Sequence, residues 1–252
     1  METVKKKIIW KIFALYDRYC KYRLNKLLPG IQLIIDEYSS KTKSTGTKYS
    51  TLHNLVKIIQ KKKPKYILEL GTGTSTIVLA ETILQIQKKD PSYNCKIVSM
   101  ESIQEWYDMA IQLLPKNYSK IVEIVMGKRE LYEYSMFRGY VHSNIPNYSF
   151  DFIFLDGPNY SDEKGSSTCM DIIKIRLQSD DELISCVVDT RVSSVWMMQQ
   201  IFSVKIVKYF PIFRTCSFDI PKIHLNPQID SSSFSSSFIG RLNFKNNNLV
   251  KK

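Results

Sequence analysis

A short glycine-rich turn, Gly71-Thr72-Gly73, follows an apolar run that ends in Glu69 and Leu70. A helix is predicted to begin at Ser75, so the glycines lie between a strand and a helix N-terminus. Because glycine has no side chain, a ligand can lie against the backbone amides of such a turn. The turn therefore predicts a nucleotide-like cofactor at the carboxyl end of a parallel sheet.

The residues after the glycines narrow the class of cofactor. A dinucleotide fingerprint, G-x-G-x-x-G or A, needs a third small residue for close strand–helix packing, and this chain has the larger Thr76 there. A P-loop needs G-x-x-x-x-G-K-[ST], which the residues after Gly71 do not match. The spacing thus disfavours NAD, FAD and P-loop sites. A plain strand–helix turn without a ligand is the alternative for this stretch taken alone.

Three other predicted strands also end in carboxylates. Glu101 ends the second strand and can accept both hydroxyls of a ribose through its two oxygens. Asp156 ends the apolar run that begins at Phe150, a pattern typical of a buried central strand, and it faces the crevice where open α/β sheets bind ligands. Asp189 ends the fifth strand. Asp156 and Asp189 together suit Mg²⁺, but Arg191 opposes a cation, and helix capping by Asp189 is favoured.

A sheet is needed to bring these residues together. From Pro64 onward the sequence alternates strand-like and helical stretches, which predicts right-handed βαβ units and a parallel sheet, so the fold class is α/β. Strands are predicted at 66–70, 96–101, 121–126, 150–156, 183–189, 204–210 and 214–220, with helices between the first five, including one over 128–140.

The glutamate two residues before Gly71, followed by G-x-G-x-S, resembles the first motif of class I S-adenosylmethionine (SAM) methyltransferases. The resemblance spans about residues 51–220 and implies a Rossmann-like three-layer sandwich. Its mostly parallel seven-stranded sheet would carry an antiparallel strand at the edge, from the terminal hairpin. SAM is then the expected cofactor, with no metal. The implied cofactor-binding residues are Glu69, Gly71, Thr72, Gly73, Thr74, Ser75, Glu101, Ser102, Gly127 and Asp156.

Within that resemblance, Glu101 matches the acid that binds ribose, and the glycine turn matches the part that lies against the amino-acid moiety of SAM. The family often has an acidic or polar residue after the third strand to receive the adenine amino group. This chain has Lys128 there, next to Gly127. Adenine recognition is therefore expected to use backbone amides.

The segment Asp156-Gly157-Pro158 resembles the one after the fourth strand in some methyltransferases that act on sugar hydroxyls. A hydroxyl nucleophile needs a base as its proton leaves, and Asp156 is the candidate catalytic residue. The prediction is O-methylation of a glycan or other hydroxylated small molecule. His142, expected in a loop before the fourth strand, is a further candidate base. The alternatives are an RNA methyltransferase and a non-catalytic Rossmann-like protein at a membrane surface.

Lysine and arginine are concentrated before the glycine turn. Residues 1–65 hold 16 Lys and Arg against 4 Asp and Glu, whereas residues 66–252 hold 20 of each, so the net charge of +12 lies wholly in the first segment. We divide the chain into a basic helical extension (1–50), a SAM-binding domain (51–225) and a Ser/Asn-rich, partly ordered tail (226–252). The basic segment suits nucleic acid or an anionic membrane, or it is a solvated helical face.

The five cysteines are widely spaced and include no C-x-x-C motif, which indicates reduced thiols and a cytoplasmic protein. No stretch approaches 18 uncharged apolar residues, so a transmembrane helix is not expected. Peripheral attachment at a membrane, through the basic segment, is the alternative location.

Overall fold

The computed structural model describes residues 2–42, 46–135, 137–157, 160–162, 165–189, 192–210 and 215–222. The helices are α1 (Glu2–Leu27), α2 (Ile31–Lys41), α3 (Tyr49–Lys62), α4 (Thr74–Lys89), α5 (Gln104–Leu113), α6 (Asp171–Gln178) and α7 (Val192–Phe202). The strands are β1 (Tyr66–Leu70), β2 (Lys96–Glu101), β3 (Val122–Met126), β4 (Arg129–Tyr134), β5 (Phe137–His142), β6 (Phe152–Leu155), β7 (Tyr160–Asp162), β8 (Gly165–Cys169), β9 (Leu183–Val188), β10 (Tyr209–Phe210) and β11 (Thr215–Pro221).

The main sheet has seven strands in the order β3-β2-β1-β6-β9-β11-β10. The first five are parallel, and β11 pairs antiparallel with both β9 and β10. In this register Leu70, at the end of β1, lies opposite both Met100 in β2 and Leu155 in β6. The predicted Rossmann-like fold is confirmed, with one difference. The antiparallel strand lies second from the edge, because the short β10 covers it.

The central strands are apolar because helices cover both faces of the sheet. Leu68 and Leu70 point to one face and join the buried cluster that contains residues of α6 and α7. Ile67 points to the other face and joins a cluster with residues of α3 and α4. Alternate side chains of each strand thus enter opposite cores, and the sheet edge that follows them is held rigidly from both sides.

The N-terminal helices belong to the second of these cores. Leu24 and Leu28, in and just after α1, and Ile35 of α2 are buried in the same cluster as Ile67. Asp17 of α1 accepts a hydrogen bond from the backbone N–H of Ser50, at 2.8 Å, which ties α1 to the start of α3. None of the helices in the described part of the chain is long and apolar enough to cross a bilayer. The division into three domains stays a prediction, and residues 226–252 lie outside the described ranges.

The helix predicted over 128–140 is wrong. The structure has the hairpin β4–β5 there, which pairs onward with β8 and β7 in a second sheet of order β4-β5-β8-β7. Along β4, partly buried Tyr132 and Tyr134 alternate with exposed residues and pack on the main core. Phe137 contacts Trp196 of α7 edge to face, with ring centroids 5.7 Å apart. A period of two places these aromatic rings on one face of a strand, which a helix would not do.

The strand predicted over 204–210 is also shorter than expected. Only Tyr209 and Phe210 pair with β11, while residues 204–206 form a turn. Ser203, just after α7, has a φ of +86°. The N–H of Ile206 donates to the Ser203 carbonyl at 3.1 Å. This left-handed residue reverses the chain directly after the helix and leaves few residues for the edge strand.

Candidate functional site

The glycine turn lies against the end of β6. Gly71 has a φ of +102°, and a Cβ placed there would lie 2.8 Å from the Cα and N of Gly157. The N–H groups of Asp156 and Gly157 both donate to the Leu70 carbonyl, at 3.1 and 2.8 Å. Only glycine tolerates this conformation and this backbone approach together. The close contact brings Asp156 to the glycine turn.

A buried hydroxyl network supports the turn from below. The N–H of Gly73 donates to Thr76 Oγ1 at 3.0 Å, and that hydroxyl donates to Glu69 Oε2 at 2.6 Å. Ser99 of β2 donates to the same carboxylate oxygen, also at 2.6 Å. Thr76, which in the sequence only disfavoured dinucleotides, is therefore the link between the turn and β1.

Glu69 is fully buried within this network. Burial raises the pKa of its carboxyl from 4.5 to about 7, although the hydroxyls of Ser99 and Thr76 act in the opposite direction. The carboxylate of Asp156 adds to the upward shift. Glu69 thus lies beneath the turn, in contact with the residues that shape it. Its predicted role as a cofactor ligand stays a prediction.

Glu101 connects the end of β2 to the glycine turn. Its Oε1 accepts backbone hydrogen bonds from Ser102 and Ile103, at 2.8 and 2.9 Å, which fix the carboxylate at the start of α5. Its Oε2 accepts from the hydroxyl and the N–H of Thr72, at 3.1 and 3.4 Å. A carboxylate oxygen accepts more than one hydrogen bond, so Glu101 can receive a ribose hydroxyl beside the Thr72 hydroxyl.

Gly127 closes the same edge after β3. Its N–H donates to the Glu101 carbonyl at 2.6 Å, and a Cβ placed on it would lie 2.3 Å from His142 Cδ2 and 3.0 Å from Met100 Cε. His142 therefore packs directly against Gly127. The place of Gly127 beside Glu101 suits the predicted adenine end of the site.

His142 lies at the end of β5 and is fully buried, so its expected position in a loop is wrong. Asp171 accepts the backbone N–H of His142 at 2.7 Å and lies 3.3 Å from the imidazole Nδ1. Cys169 donates its thiol to the same carboxylate at 2.9 Å. This cluster joins the second sheet to α6. Because His142 is enclosed, an acceptor hydroxyl does not reach it as a base.

Asp156 receives hydroxyl donors from two directions. Ser75, in the first turn of α4, donates to Asp156 Oδ2 at 3.3 Å, and Thr47 donates to the same oxygen. The carboxylate is partly exposed. Thr51, at the start of α3, donates to Asp189 Oδ1 at 3.2 Å. The chain just before and within α3 thus forms one wall of the site, beside Asp156 and Asp189.

No sequence motif marks Thr47 and Thr51, which lie far from Asp156 and Asp189 along the chain. Tyr38 of α2 is a further buried residue at this wall. Burial raises its pKa to about 12, and the nearby carboxylates of Glu69 and Glu101 add to that effect. The only sequence signal is the polar, Ser/Thr-rich stretch at 39–50, whose composition is typical of a loop.

Two buried hydroxyls at this edge of the sheet are unsatisfied. Thr74 Oγ1, after the glycine turn, and Ser102 Oγ, after β2, have no hydrogen-bond partner among the described residues. An unsatisfied buried polar atom costs roughly 1–3 kcal/mol, which a polar ligand at the turn would recover. The described residues hold no group of three or more His, Cys, Asp or Glu placed to bind a metal ion.

Solved structures share this architecture. A protein from Staphylococcus aureus described as a caffeoyl-CoA O-methyltransferase aligns with a TM-score of 0.55 at 16% identity, over 82% of this chain and 99% of that one. A methyltransferase from Podospora anserina with bound SAH aligns with a TM-score of 0.51 at 15% identity, over 83% and 96%. No family model and no curated protein matches the sequence. The chain therefore has the class I SAM-dependent methyltransferase fold.

Proposed function

We propose that this chain is a SAM-dependent methyltransferase that methylates a hydroxyl of a glycan or other small molecule. The observation that carries the proposal is the convergence of three features at one sheet edge. The glycine turn touches Gly157, Glu101 bonds to Thr72 of that turn, and Asp156 bonds to Ser75 in the helix that follows it. Both aligned structures at this fold are described as methyltransferases.

The residues at this edge fit SAM. The amides of the turn and of the first turn of α4 would hold its amino-acid part, and the unsatisfied hydroxyl of Thr74 lies there too. Glu101 would accept the ribose hydroxyls, and the backbone beside Gly127 would contact adenine. SAM supplies an electrophilic methyl group on a sulfonium. The task of the protein is to align the acceptor with that group and to exclude water.

Asp156 is the proposed base. It already accepts hydrogen bonds from the hydroxyls of Ser75 and Thr47, so its carboxylate is oriented to accept one from an acceptor hydroxyl. Replacement of the Thr47 hydroxyl by the acceptor would place the acceptor oxygen beside the base. A base in this position removes the proton as the oxygen bonds to the methyl group.

The test begins with calorimetric titration of SAM, followed by a screen for methyl transfer from radiolabelled SAM to glycans, lipids and RNA. Asp156→Asn should still bind SAM and lose turnover by a factor of about 100 or more. Asp189→Asn is the matched control, since it removes the other strand-end carboxylate. Retained turnover in Asp156→Asn would exclude the base, and absence of SAM binding by the folded wild type would exclude the enzyme.

A second candidate function is methylation of RNA, which the charge of the first 65 residues favours. A protein that neutralises phosphates binds RNA with an affinity that falls steeply as salt increases. A radiolabelled product in RNA, with such a salt dependence, would select this candidate over a small-molecule acceptor.

A third candidate is a non-catalytic Rossmann-like protein at a membrane, which binding of SAM with turnover would exclude. A cytoplasmic location is proposed from the five cysteines, which are buried and form no disulfide bond.

A further inference from the structure

Helix α1 has two apolar faces, and the described residues cover only one of them. Phe13, Cys20 and Leu24 are buried against the rest of the protein. Another row of residues on the same helix lies in solvent: Ile12, Leu15, Tyr19 and Tyr22, with 49%, 65%, 51% and 56% of their surface exposed. We call these four residues the α1 stripe.

The spacing of the α1 stripe places it on one side of the helix. Successive members are three or four residues apart, so their side chains form a continuous row. This row lies on a different side of the helix from Phe13 and Cys20, which are buried. Single exposed apolar residues are ordinary on a protein surface, but a continuous row marks an interaction site.

Cationic side chains border the α1 stripe. Arg23 donates to the Tyr19 hydroxyl at 3.1 Å and lies 5.8 Å from its ring centroid. The ammonium of Lys26 lies 4.7 Å from the centroid of Tyr22. Lys11 and Arg18 are also exposed on this part of the helix. Each of these two pairs holds a charged group beside an aromatic ring.

No acidic side chain accompanies these cations over residues 9–27 except Asp17. Asp17 does not face the stripe, since it bonds to the Ser50 N–H between α1 and α3. The exposed side of this part of α1 is therefore apolar, aromatic and positively charged, with no negative charge. That combination is typical of helices that lie in the plane of a membrane interface.

We propose that α1 docks on an anionic lipid surface, with the α1 stripe inserted at the headgroup boundary and the cations against lipid phosphates and carboxylates. Two other occupants fit the observations less well. A second copy packed through the stripe would bring the cations of both helices together without acids to pair them. RNA would use the cations, but the aliphatic residues Ile12 and Leu15 would gain nothing from its phosphate backbone.

The test is co-sedimentation of the full chain with vesicles of phosphatidylcholine, alone or with about 30% phosphatidylserine. Binding to the anionic vesicles should exceed binding to the neutral ones by about tenfold or more, and it should fall severalfold between about 0.1 M and 0.5 M salt. The double variant Ile12→Ser/Leu15→Ser should lose about tenfold in partitioning. Leu33→Ser is the matched control and should bind like the wild type, because Leu33 of α2 is 76% exposed and outside the stripe.

Circular dichroism spectra and melting curves show whether each variant is folded. If the serine variant unfolds, Lys11→Gln/Arg18→Gln provides a second test, since it should lose binding to anionic vesicles while the apolar row stays intact. Three results would overturn the proposal. They are equal partitioning of wild type and both variants, a dimer in sedimentation velocity that the serine variant dissociates, and RNA binding without vesicle binding. These readouts need no SAM and no turnover, so they are independent of the proposed enzyme.

Discussion

Glu69 makes the stability of this protein dependent on pH in a direction opposite to that of an ordinary surface carboxylate. Its folded-state pKa of about 7 lies above the ordinary value of 4.5, chiefly because the group is fully buried. The folded protein therefore holds the proton more tightly than the unfolded chain. The stability from this group is fully present below pH 4.5 and is lost as the pH rises through 7.

The substitution Glu69→Gln removes this titration while it keeps an oxygen for the hydroxyls of Thr76 and Ser99. A tenfold change in proton affinity is worth about 1.4 kcal/mol. Between about pH 5 and about pH 8 the wild type should therefore lose roughly 2–3 kcal/mol of unfolding free energy relative to the variant. The unfolding free energies of the wild type and the variant should differ least at about pH 5.

The measurement is urea denaturation of both proteins at several pH values, followed by far-UV circular dichroism. The contributions of other titrating groups to the free energy of unfolding cancel in the difference between the two proteins. This holds when that free energy falls with urea concentration at the same slope in both. Glu182→Gln is the control, since Glu182 is an exposed glutamate away from the site. If the difference between wild type and Glu69→Gln does not change with pH, Glu69 does not carry a raised pKa and the buried network is wrongly assigned.

Two further outcomes follow from the same edge of the sheet. Gly71→Ala should destabilise the protein by about 1–3 kcal/mol or more, because its Cβ would lie 2.8 Å from the Gly157 backbone. Gly30→Ala, which has a φ of +86° and no atom within 4 Å, should cost only the backbone strain of about 1 kcal/mol in thermal melts. Glu101→Gln should weaken SAM binding by about 10- to 100-fold in calorimetry, whereas Glu105→Gln, in the exposed first turn of α5, should leave it unchanged. Equal effects of the two glycine variants, or of the two glutamine variants, would contradict these assignments.

The sequence determined the strands that carry the site because their patterns depend on local chemistry. β1 and β2 have the predicted bounds, since a short apolar run between a charged start and a glycine or acidic end is typical of a buried parallel strand. The motif at Gly71–Gly73 and the strand-end acids Glu101 and Asp156 are therefore visible in the sequence without any knowledge of tertiary contacts. The fold class followed from the alternation of strand and helix along the chain.

Tertiary structure decided which distant residues join these motifs. Thr47 and Thr51 bond to Asp156 and Asp189 because α1, α2 and α3 pack on the same core as β1, and no local pattern encodes that placement. The chain forms the hairpin β4–β5 where a helix was predicted. In a strand, alternate aromatic rings pack on the core, which stabilises the hairpin. The local sequence pattern thus determines which residues stand at the sheet edge. Packing between residues far apart in the chain determines which residues form the wall of the site.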